Sequence, residues 1–211
     1  CKTIISDMGS LGKDDQYVKI IDFFTLLFEA SQPYKNFEKQ IIFRLNGVSQ
    51  SHEGISIKEK MIPLVKREPE LIHGIRNIVH NALKFSKSHV DINLITNSRK
   101  INLEITDDGR GFPNDIANMI GEPFLNKSNF NLMEIKNRTS EEGMGLGLFI
   151  ASILLEKTNG RLKFSNIKQI ENDGKKRITG AKVEISWERS SIEVLQRDKK
   201  AKMKENPRNV S

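Results

Sequence analysis

The sequence predicts an α+β fold, a two-layer α/β sandwich in which helices cover one face of a mixed sheet. The first observation is a strong helical pattern over residues 68–86, followed by two strictly alternating segments, 89–97 and 100–109, which predict a hairpin. The second is a further helical pattern that precedes two closing strands, RLKFSN (161–166) and GAKVEISW (180–187). Helices and strands are therefore mixed along the chain. The last two strands are expected to be antiparallel neighbours in the sheet.

The composition limits what the chain can be. Hydrophobic residues make up 37% and charged residues 29% of the 211 residues, which is typical of one globular core with short appendages. The longest apolar run, IIDFFTLLF at 20–28, is half of the roughly 18 residues that suggest a membrane span. The single cysteine excludes an intramolecular disulfide and a cysteine-based metal site, and the four histidines lack metal-ligand spacing.

The N-terminal part predicts two helical segments and two strands. Residues 1–12 are typical of the end of a helix that runs into a glycine stop. Residues 22–32 indicate a buried helix that Asp22 caps and that ends before Pro33. The segments KQIIFRLNG (39–47) and MIPLV (61–65) predict strands.

The second half carries one further helix and a long loop. A short helix is expected over 113–120, where proline opens the segment. Residues 121–142 are polar and without period, which indicates a mobile loop. The next helix covers 144–158 and ends at Asn159-Gly160, and the polar turn ENDGKK joins the two closing strands.

The C-terminal segment accounts for part of the net charge of +7. Residues 195–204 contain five lysines or arginines and one aspartate, so we expect residues 189–211 to form a basic, disordered tail. A nucleic-acid arm is the alternative for such a run. Because no aromatic residue is interleaved with the basic ones, we expect no nucleic-acid partner.

The predicted helix at 68–86 has two different faces. Asn77 and Asn81 are four residues apart, so their amides lie on one polar face, although asparagine is a poor helix former. One explanation is an ordinary solvated surface. The other is that the amide oxygens coordinate Mg²⁺ and that Lys84 contacts a phosphate. The opposite, apolar face comprises Leu71, Ile75, Ile78, Val79, Ala82 and Leu83.

Two glycine-rich stretches follow this helix. In ITDDGRGF, Asp107 ends an apolar strand before Gly109 and Gly111. Its carboxylate can accept a hydrogen bond from a planar ligand, and the two glycines would let that ligand approach closely. An ordinary turn is the alternative. In EGMGLGLFIA, three glycines open a helix, and exposed N–H groups at a helix N-terminus bind phosphate. These glycines are Gly143, Gly145 and Gly147.

Taken in order, these motifs resemble the Bergerat-fold nucleotide-binding domain of the GHKL superfamily, which includes histidine kinases, gyrase B, Hsp90 and MutL. HGIRNIVHNALKFS resembles the N box, DDGRGFP the G1 box, GEPFLNKS the F box and EGMGLGLFIA the G2 box. The resemblance covers roughly residues 15–188. The residues of these boxes are most similar to those of the RegB/PrrB/ActS redox-sensor branch of sensor histidine kinases.

The resemblance implies that the chain binds ATP and Mg²⁺. Asp107 would bind the adenine amino group, and Phe85 would flank the base. Asn77 and Asn81 would hold Mg²⁺ and the phosphates, and Lys84 would contact phosphate. The other nucleotide-binding residues that it implies are Gly109 and Gly111 in the adenine pocket, Gly143, Gly145 and Gly147 in a hinged lid, Phe124 as the anchor of that lid, and Leu148.

One position separates a kinase from a hydrolase. ATP-driven clamp ATPases of this superfamily have a glutamate four residues before the Mg²⁺-binding asparagine, where this chain has Asn77. An amide is no general base, so the resemblance favours a histidine kinase, with no catalytic residue in this chain itself. A clamp ATPase, a non-catalytic ATP-binding module and an anti-sigma-type serine kinase are the alternatives.

The phosphoacceptor expected of a histidine kinase is not evident. His52, His73, His80 and His89 lie outside any motif of the phosphoacceptor type. We therefore expect a catalytic fragment that donates the γ-phosphate to a histidine on a separate dimerisation domain, with residues 1–14 as the end of that domain and its linker.

The resemblance also implies a wider setting for this fragment. It implies a homodimeric sensor in the bacterial inner membrane, with this domain in the cytoplasm and a response regulator downstream. Cys1 matches a cysteine linked to redox control in that branch, or is a small apolar residue in a helical seam.

Overall fold

The computed structural model describes four stretches of the chain, and some predicted elements lie outside them. The described residues are 19–50, 62–112, 144–171 and 174–194. The predicted helix end at 1–12, the short helix at 113–120, the loop at 121–142 and the basic run at 195–211 lie outside the described residues. No helix in the described stretches is long and apolar enough to cross a membrane.

The described helices and strands follow one another in the mixed order that the sequence predicts. They are β1 (Ile20–Asp22), α1 (Phe23–Ser31), β2 (Gln40–Leu45), β3 (Val48–Gln50), β4 (Leu64–Lys66), α2 (Pro69–Phe85), β5 (His89–Thr96), β6 (Lys100–Asp107), α3 (Met144–Lys157), β7 (Arg161–Ile170), β8 (Lys176–Glu188) and α4 (Arg189–Ile192), with a 3₁₀ turn at Gln32–Tyr34.

The main sheet is mixed, which confirms the predicted fold class. Its six strands lie in the order β3-β2-β5-β6-β8-β7. The pairing of β2 with β5 is parallel, and every other neighbouring pair is antiparallel. The predicted hairpin is β5–β6, in which Asn97 Oδ1 accepts hydrogen bonds from the backbone N–H groups of Arg99 and Lys100.

The core lies between the sheet and the helices on one of its faces. All six residues of the predicted apolar face of α2 are buried, and they meet alternate residues of β5 and β6 such as Ile92 and Leu103. α3 packs beside α2, where a side chain at Gly74 would lie 2.6 Å from Leu155 Cγ. Glycine at this position therefore lets the two helices approach closely.

A second, small sheet joins both ends of the described chain. β1 pairs with β4 in antiparallel register, and the N–H of Val194 donates to the carbonyl of Leu64 over 2.7 Å. Residues 189–194, which the sequence assigned to the basic tail, instead form α4 and this pairing. The short α4 is stabilised by an ion pair between Arg189 and Glu193, at 2.6 Å, that its sequence pattern alone did not reveal.

The closing strands are longer than predicted. β7 and β8 extend beyond 161–166 and 180–187, and past the end of β7 the N–H of Glu171 donates to the carbonyl of Lys175. The last three residues of β7 and the first two of β8 are exposed, so these ends lack the apolar alternation by which a half-buried strand is predicted. The predicted strand at 61–65 is likewise displaced to Leu64–Lys66, and β1 and β3 were too short to be predicted.

Asp22 caps α1 as predicted, and its removal tests this part of the fold. Its carboxylate accepts hydrogen bonds from the N–H of Thr25 over 2.8 Å and from its hydroxyl over 2.5 Å. Asp22→Ala is expected to lower the free energy of unfolding by about 1 kcal/mol, measured by urea denaturation. Asp22→Ser retains an acceptor and should lose much less, and equal losses in the two variants would contradict the cap.

Candidate functional site

Asp107 lies at the end of β6, with its side chain buried between two backbone segments. Oδ1 accepts hydrogen bonds from the N–H of Gly109 over 2.8 Å and of Ala181 over 3.3 Å, and the residue is only 8% exposed. Burial raises the pKa of the carboxyl, and these two hydrogen bonds oppose that rise. The backbone therefore fixes the orientation of the carboxyl group, because one of its oxygens is held from two sides.

Glycines allow the backbone to pack closely around Asp107. A side chain at Gly109 would lie 2.2 Å from the carbonyl oxygen of Phe85, and one at Gly180 would lie 1.8 Å from that of Asp107. The sequence analysis explained Gly109 by the approach of a ligand. The structure shows a close protein contact there, with the C-terminal end of α2.

Asp108 connects the end of β6 to the corner between α2 and β5. Its carboxylate accepts hydrogen bonds from the N–H groups of Lys87 and Ser88, at 2.7 and 3.0 Å, and from the Ser88 hydroxyl. Burial by itself raises the pKa of Asp108, but these hydrogen bonds outweigh it and hold the pKa well below its usual range. The sequence analysis missed this role, because two adjacent aspartates give no sign of which one faces the helix.

Lys39 completes the same corner from the other side. Its ammonium donates to the carbonyls of Leu83 over 2.7 Å and of Ser86 over 2.6 Å, at the C-terminal end of α2. A cation at this end of a helix is favourable because the helix dipole is negative there. The end of α2 that carries Lys84 and Phe85 is thus held by the Lys39 ammonium, and the residues that follow it by the Asp108 carboxylate.

Asn77 and Asn81 of α2 each donate a hydrogen bond to the backbone carbonyl four residues earlier in the helix. Asn77 Nδ2 donates to the carbonyl of His73 over 3.0 Å, and Asn81 Nδ2 donates to the carbonyl of Asn77 over 2.8 Å. Only the amide nitrogen can donate to a carbonyl, so in both residues Oδ1 is directed away from that contact. These side-chain hydrogen bonds to the preceding turn explain how asparagine is accommodated within the helix. They leave Oδ1 of each asparagine as the atom that can contact a ligand.

Gly147 brings the first turns of α3 against Asn81. A side chain at this position would lie 2.8 Å from Asn81 Nδ2, so glycine permits the contact. The next residue, Leu148, is buried at 7% exposure. Residues from two separate predicted motifs are therefore neighbours in the fold.

A mostly apolar cavity opens beside Asp107, between α2, the sheet and the start of α3. Its polar lining side chains are those of Asp107 and Asn81. A lining that is apolar with a few placed polar groups has the chemical character of a small-molecule site. It is lined by Ile78, Asn81, Ala82, Phe85, Ile105, Asp107, Gly111, Phe112, Leu148, Ala181 and Val183.

The predicted site residues are brought together only in part. Asn81, Phe85, Asp107, Gly111 and Leu148 line the cavity, and Gly109 and Gly147 contact residues that line it. Asn77 and Lys84 lie outside the lining on the same helix. Gly145 belongs to the first turn of α3, and Phe124 and Gly143 lie outside the described residues.

Two cations lie at the rim beside Phe85. Lys84 Nζ is 5.1 Å and Arg110 Cζ 5.8 Å from the centroid of the Phe85 ring. The sequence analysis missed Arg110, although its place between the two glycines of DDGRG was a usable signal. It also missed Phe112, which ends the motif DDGRGF, and Ala181 and Val183, which reach the cavity through the pairing of β8 with β6. In the part of the chain described here, no three acidic, histidine or cysteine side chains cluster as a metal site would require.

Comparison with known proteins agrees with this geometry. Residues 66–190 match the family described as histidine kinase-, DNA gyrase B-, and HSP90-like ATPase. The chain is 35% identical over 189 residues to the sensor histidine kinase RegB of Cereibacter sphaeroides, which covers 89% of this chain and 39% of that protein. It is 24% identical over 163 residues to the signal transduction histidine-protein kinase ArlS of Staphylococcus haemolyticus, covering 74% of this chain and 33% of that one. The chain thus spans well under half of these relatives.

Solved structures show the same fold. The mycobacterial sensor histidine kinase MprB superposes with a TM-score of 0.54 at 17% identity, covering 81% of this chain and 96% of that one. Full-length ShkA in complex with AMPPNP gives a TM-score of 0.55 at 17% identity, covering 90% of this chain and 34% of that one. At this level of identity the likeness establishes the architecture.

Asp108 gives the site a pH-dependent anchor. Asp108→Asn is expected to lower the free energy of unfolding by about 2 kcal/mol at neutral pH, because a charged acceptor of several hydrogen bonds is lost. The pKa of Asp108 is lower in the folded than in the unfolded chain, so this contribution is present above about pH 4 and is lost as the pH falls.

Urea denaturation at neutral and acidic pH measures this dependence. The difference between wild type and Asp108→Asn should shrink with acidification. Asp91→Asn serves as the matched control, since Asp91 pairs with Arg44 at 2.8 Å away from the cavity. A difference for Asp108→Asn that is constant with pH would contradict the anchor.

Proposed function

The chain belongs to the histidine kinase-, DNA gyrase B- and HSP90-like ATPase family, and we propose on this premise that it binds Mg-ATP and donates the γ-phosphate to a histidine on a separate dimerisation domain. The observation that supports this most directly is the buried carboxyl of Asp107 at the side of an apolar cavity. The 35% identity to a sensor histidine kinase supports the kinase assignment.

The adenine ring is proposed to occupy the cavity. Its faces would meet apolar side chains such as Ile78 and Val183, and its exocyclic amine would donate a hydrogen bond to Asp107. Oδ1 of Asp107 is already held by two backbone N–H groups, so the carboxyl needs no reorientation when the base enters. Preorganisation of this kind reduces the free-energy cost of binding.

The phosphates are proposed to lie toward the rim of the cavity. Lys84 and Arg110 supply positive charge there, and Gly147 brings the start of α3 close to Asn81. The Oδ1 atoms of Asn77 and Asn81 fit Mg²⁺, a hard cation that prefers oxygen ligands, and the ion would neutralise charge on the phosphates. Phe124, Gly143 and Gly145 are proposed to belong to the lid, of which Phe124 and Gly143 lie outside the described residues.

A histidine kinase is favoured over a hydrolase because α2 carries an amide, which is no general base, at the position that activates water in clamp ATPases. Asn77 occupies the position at which clamp ATPases have glutamate, and its amide already donates to the carbonyl of His73. Glu70 lies about two turns before Asn77, in the first turn of α2, and does not replace it. ATP bound here would therefore be kept for transfer. A clamp ATPase and a non-catalytic ATP-binding module remain the alternatives.

The proposed setting is a two-component sensor. Similarity to RegB supports a homodimer in which another domain carries the phosphoacceptor histidine, and a response regulator as the next acceptor. It also supports a bacterial inner-membrane parent with this domain on the cytoplasmic side. Redox control through Cys1 belongs to the same proposal.

Removing the charge of Asp107 tests the adenine site. Asp107→Asn places an amide where the base donates a hydrogen bond, and ATP affinity should fall by about tenfold or more. Isothermal titration calorimetry measures this directly. Asp91→Asn on the outer face of the sheet is the matched control and should bind like wild type. Unchanged ATP affinity in a folded Asp107→Asn protein would refute the assignment.

Turnover distinguishes the kinase from the alternatives. The chain alone should bind ATP and hydrolyse it negligibly, since the amide of Asn77 offers no base. Addition of a separately produced phosphoacceptor domain from a RegB-like kinase should give acid-labile phosphohistidine, detected with γ-labelled ATP. Hydrolysis by the chain alone at the rate of a dedicated ATPase would favour the clamp, and binding without either reaction would favour a non-catalytic module.

A further inference from the structure

Asn166 stands in the middle of β7, where asparagine is an unfavourable strand residue. Its amide forms two hydrogen bonds with one residue of another segment. The N–H of Phe112 donates to Asn166 Oδ1 over 2.7 Å, and Asn166 Nδ2 donates to the carbonyl of Phe112 over 2.9 Å. The side chain thus pairs with the backbone of Phe112 as a neighbouring strand would.

The turn before Phe112 is shaped around the same amide. Gly111 has φ of +78°, and a side chain there would lie 2.7 Å from Asn166 Oδ1 and 2.5 Å from Ile178 Cγ2. Glycine is needed on both counts, because the backbone is left-handed and the space is filled. Gly111 is therefore packed closely between Asn166 of β7 and Ile178 of β8.

The position of Asn166 in the sheet links it to Asp107. Asn166 pairs with Ala181 of β8, and the N–H of Ala181 is one of the two donors to Asp107 Oδ1. The register of β7 and β8 shifts immediately afterwards, between Ile167 and Lys168. Such irregularities redirect strands next to functional sites.

The hydrogen bonds with Asn166 determine the position of Phe112. It is buried at 8% exposure, packs edge-on against Phe164 with ring centroids 5.8 Å apart, and lines the cavity. Two hydrogen bonds hold its backbone against Asn166 of β7, and the paired strand β8 donates to Asp107 through Ala181. One strand pair thus contacts both the apolar wall and the polar edge of the cavity.

We propose that Asn166 is a positioning residue for the base of the nucleotide, which acts by clamping Phe112 and the glycine turn at a fixed position relative to Asp107. This role rests on the proposed ATP site. Asn166 itself does not line the cavity, so it acts through the residues that it holds. Its loss should affect how well the base fits and which base is preferred, and should leave the rest of the fold in place.

The test compares Asn166→Ala with Asn93→Ala. Asn93 is a matched control because its Oδ1 also accepts a turn N–H, that of Gly47 over 3.1 Å, far from the cavity. In calorimetry Asn166→Ala should bind both ATP and adenosine about tenfold more weakly and should discriminate less between ATP and GTP. Asn93→Ala should keep wild-type affinities and selectivity. Wild-type affinity and selectivity in folded Asn166→Ala would overturn the proposal.

Hydrogen exchange tests the clamp without any nucleotide. The amide of Phe112 should exchange faster in Asn166→Ala than in wild type or Asn93→Ala, measured by NMR. If wild type fails to bind ATP, the proposed function is wrong, while this measurement still decides the clamp. Unchanged exchange at Phe112 in Asn166→Ala would overturn the positioning role.

Discussion

The structure of the site depends on close backbone packing around the end of β6. The C-terminal end of α2 approaches Gly109, and β8 approaches Asp107 at Gly180, each where a side chain would collide with a carbonyl oxygen. These contacts fix β6 between a helix and a strand. The buried carboxyl of Asp107 is then held by backbone donors from both sides of the contact, Gly109 and Ala181. A polar group in an apolar wall is tolerated because these donors are already in place.

Charged side chains hold the same region from outside the core. Asp108 accepts hydrogen bonds from the corner before β5, and Lys39 donates to the end of α2. Each of the two ions satisfies backbone groups that a helix end or a corner leaves unpaired. Neither ion enters the cavity, which allows its walls to stay apolar. The adjacent aspartates of DDGRG thus differ in role, since one is directed inward and the other fastens the corner.

The proposed chemistry follows from how polar groups are distributed. Asp107 provides an acceptor inside the cavity, whereas positive charge is concentrated at the rim with Lys84 and Arg110. Such an arrangement suits a ligand that is flat at one end and polyanionic at the other. In the proposed reaction, the amide of Asn77 stands where hydrolysis would need a carboxylate, so ATP bound at this site would be kept for transfer.

The sequence by itself determined the elements with one buried face. The apolar stripe of α2, the alternation of β5 and β6 and the cap at Asp22 are local signals, because a period of 3.6 or 2 residues records which side meets the core. Motif order likewise pointed to Asp107, Asn81, Phe85, Gly111 and Leu148, which lie together at the cavity. The exposed ends of β7 and β8, the short strands and α4 carried no such period.

Only the tertiary structure decided which residues meet across the chain. The clamp between Asn166 and Phe112 joins positions 54 residues apart, and Ala181 reaches Asp107 across 74. Local propensity holds no information on such pairs, since they follow from strand order and register. Gly109 shows the same difference between what the sequence indicates and what packing decides. The sequence indicated that bare backbone was needed at Gly109, and packing determined that the atom approaching it belongs to the protein itself.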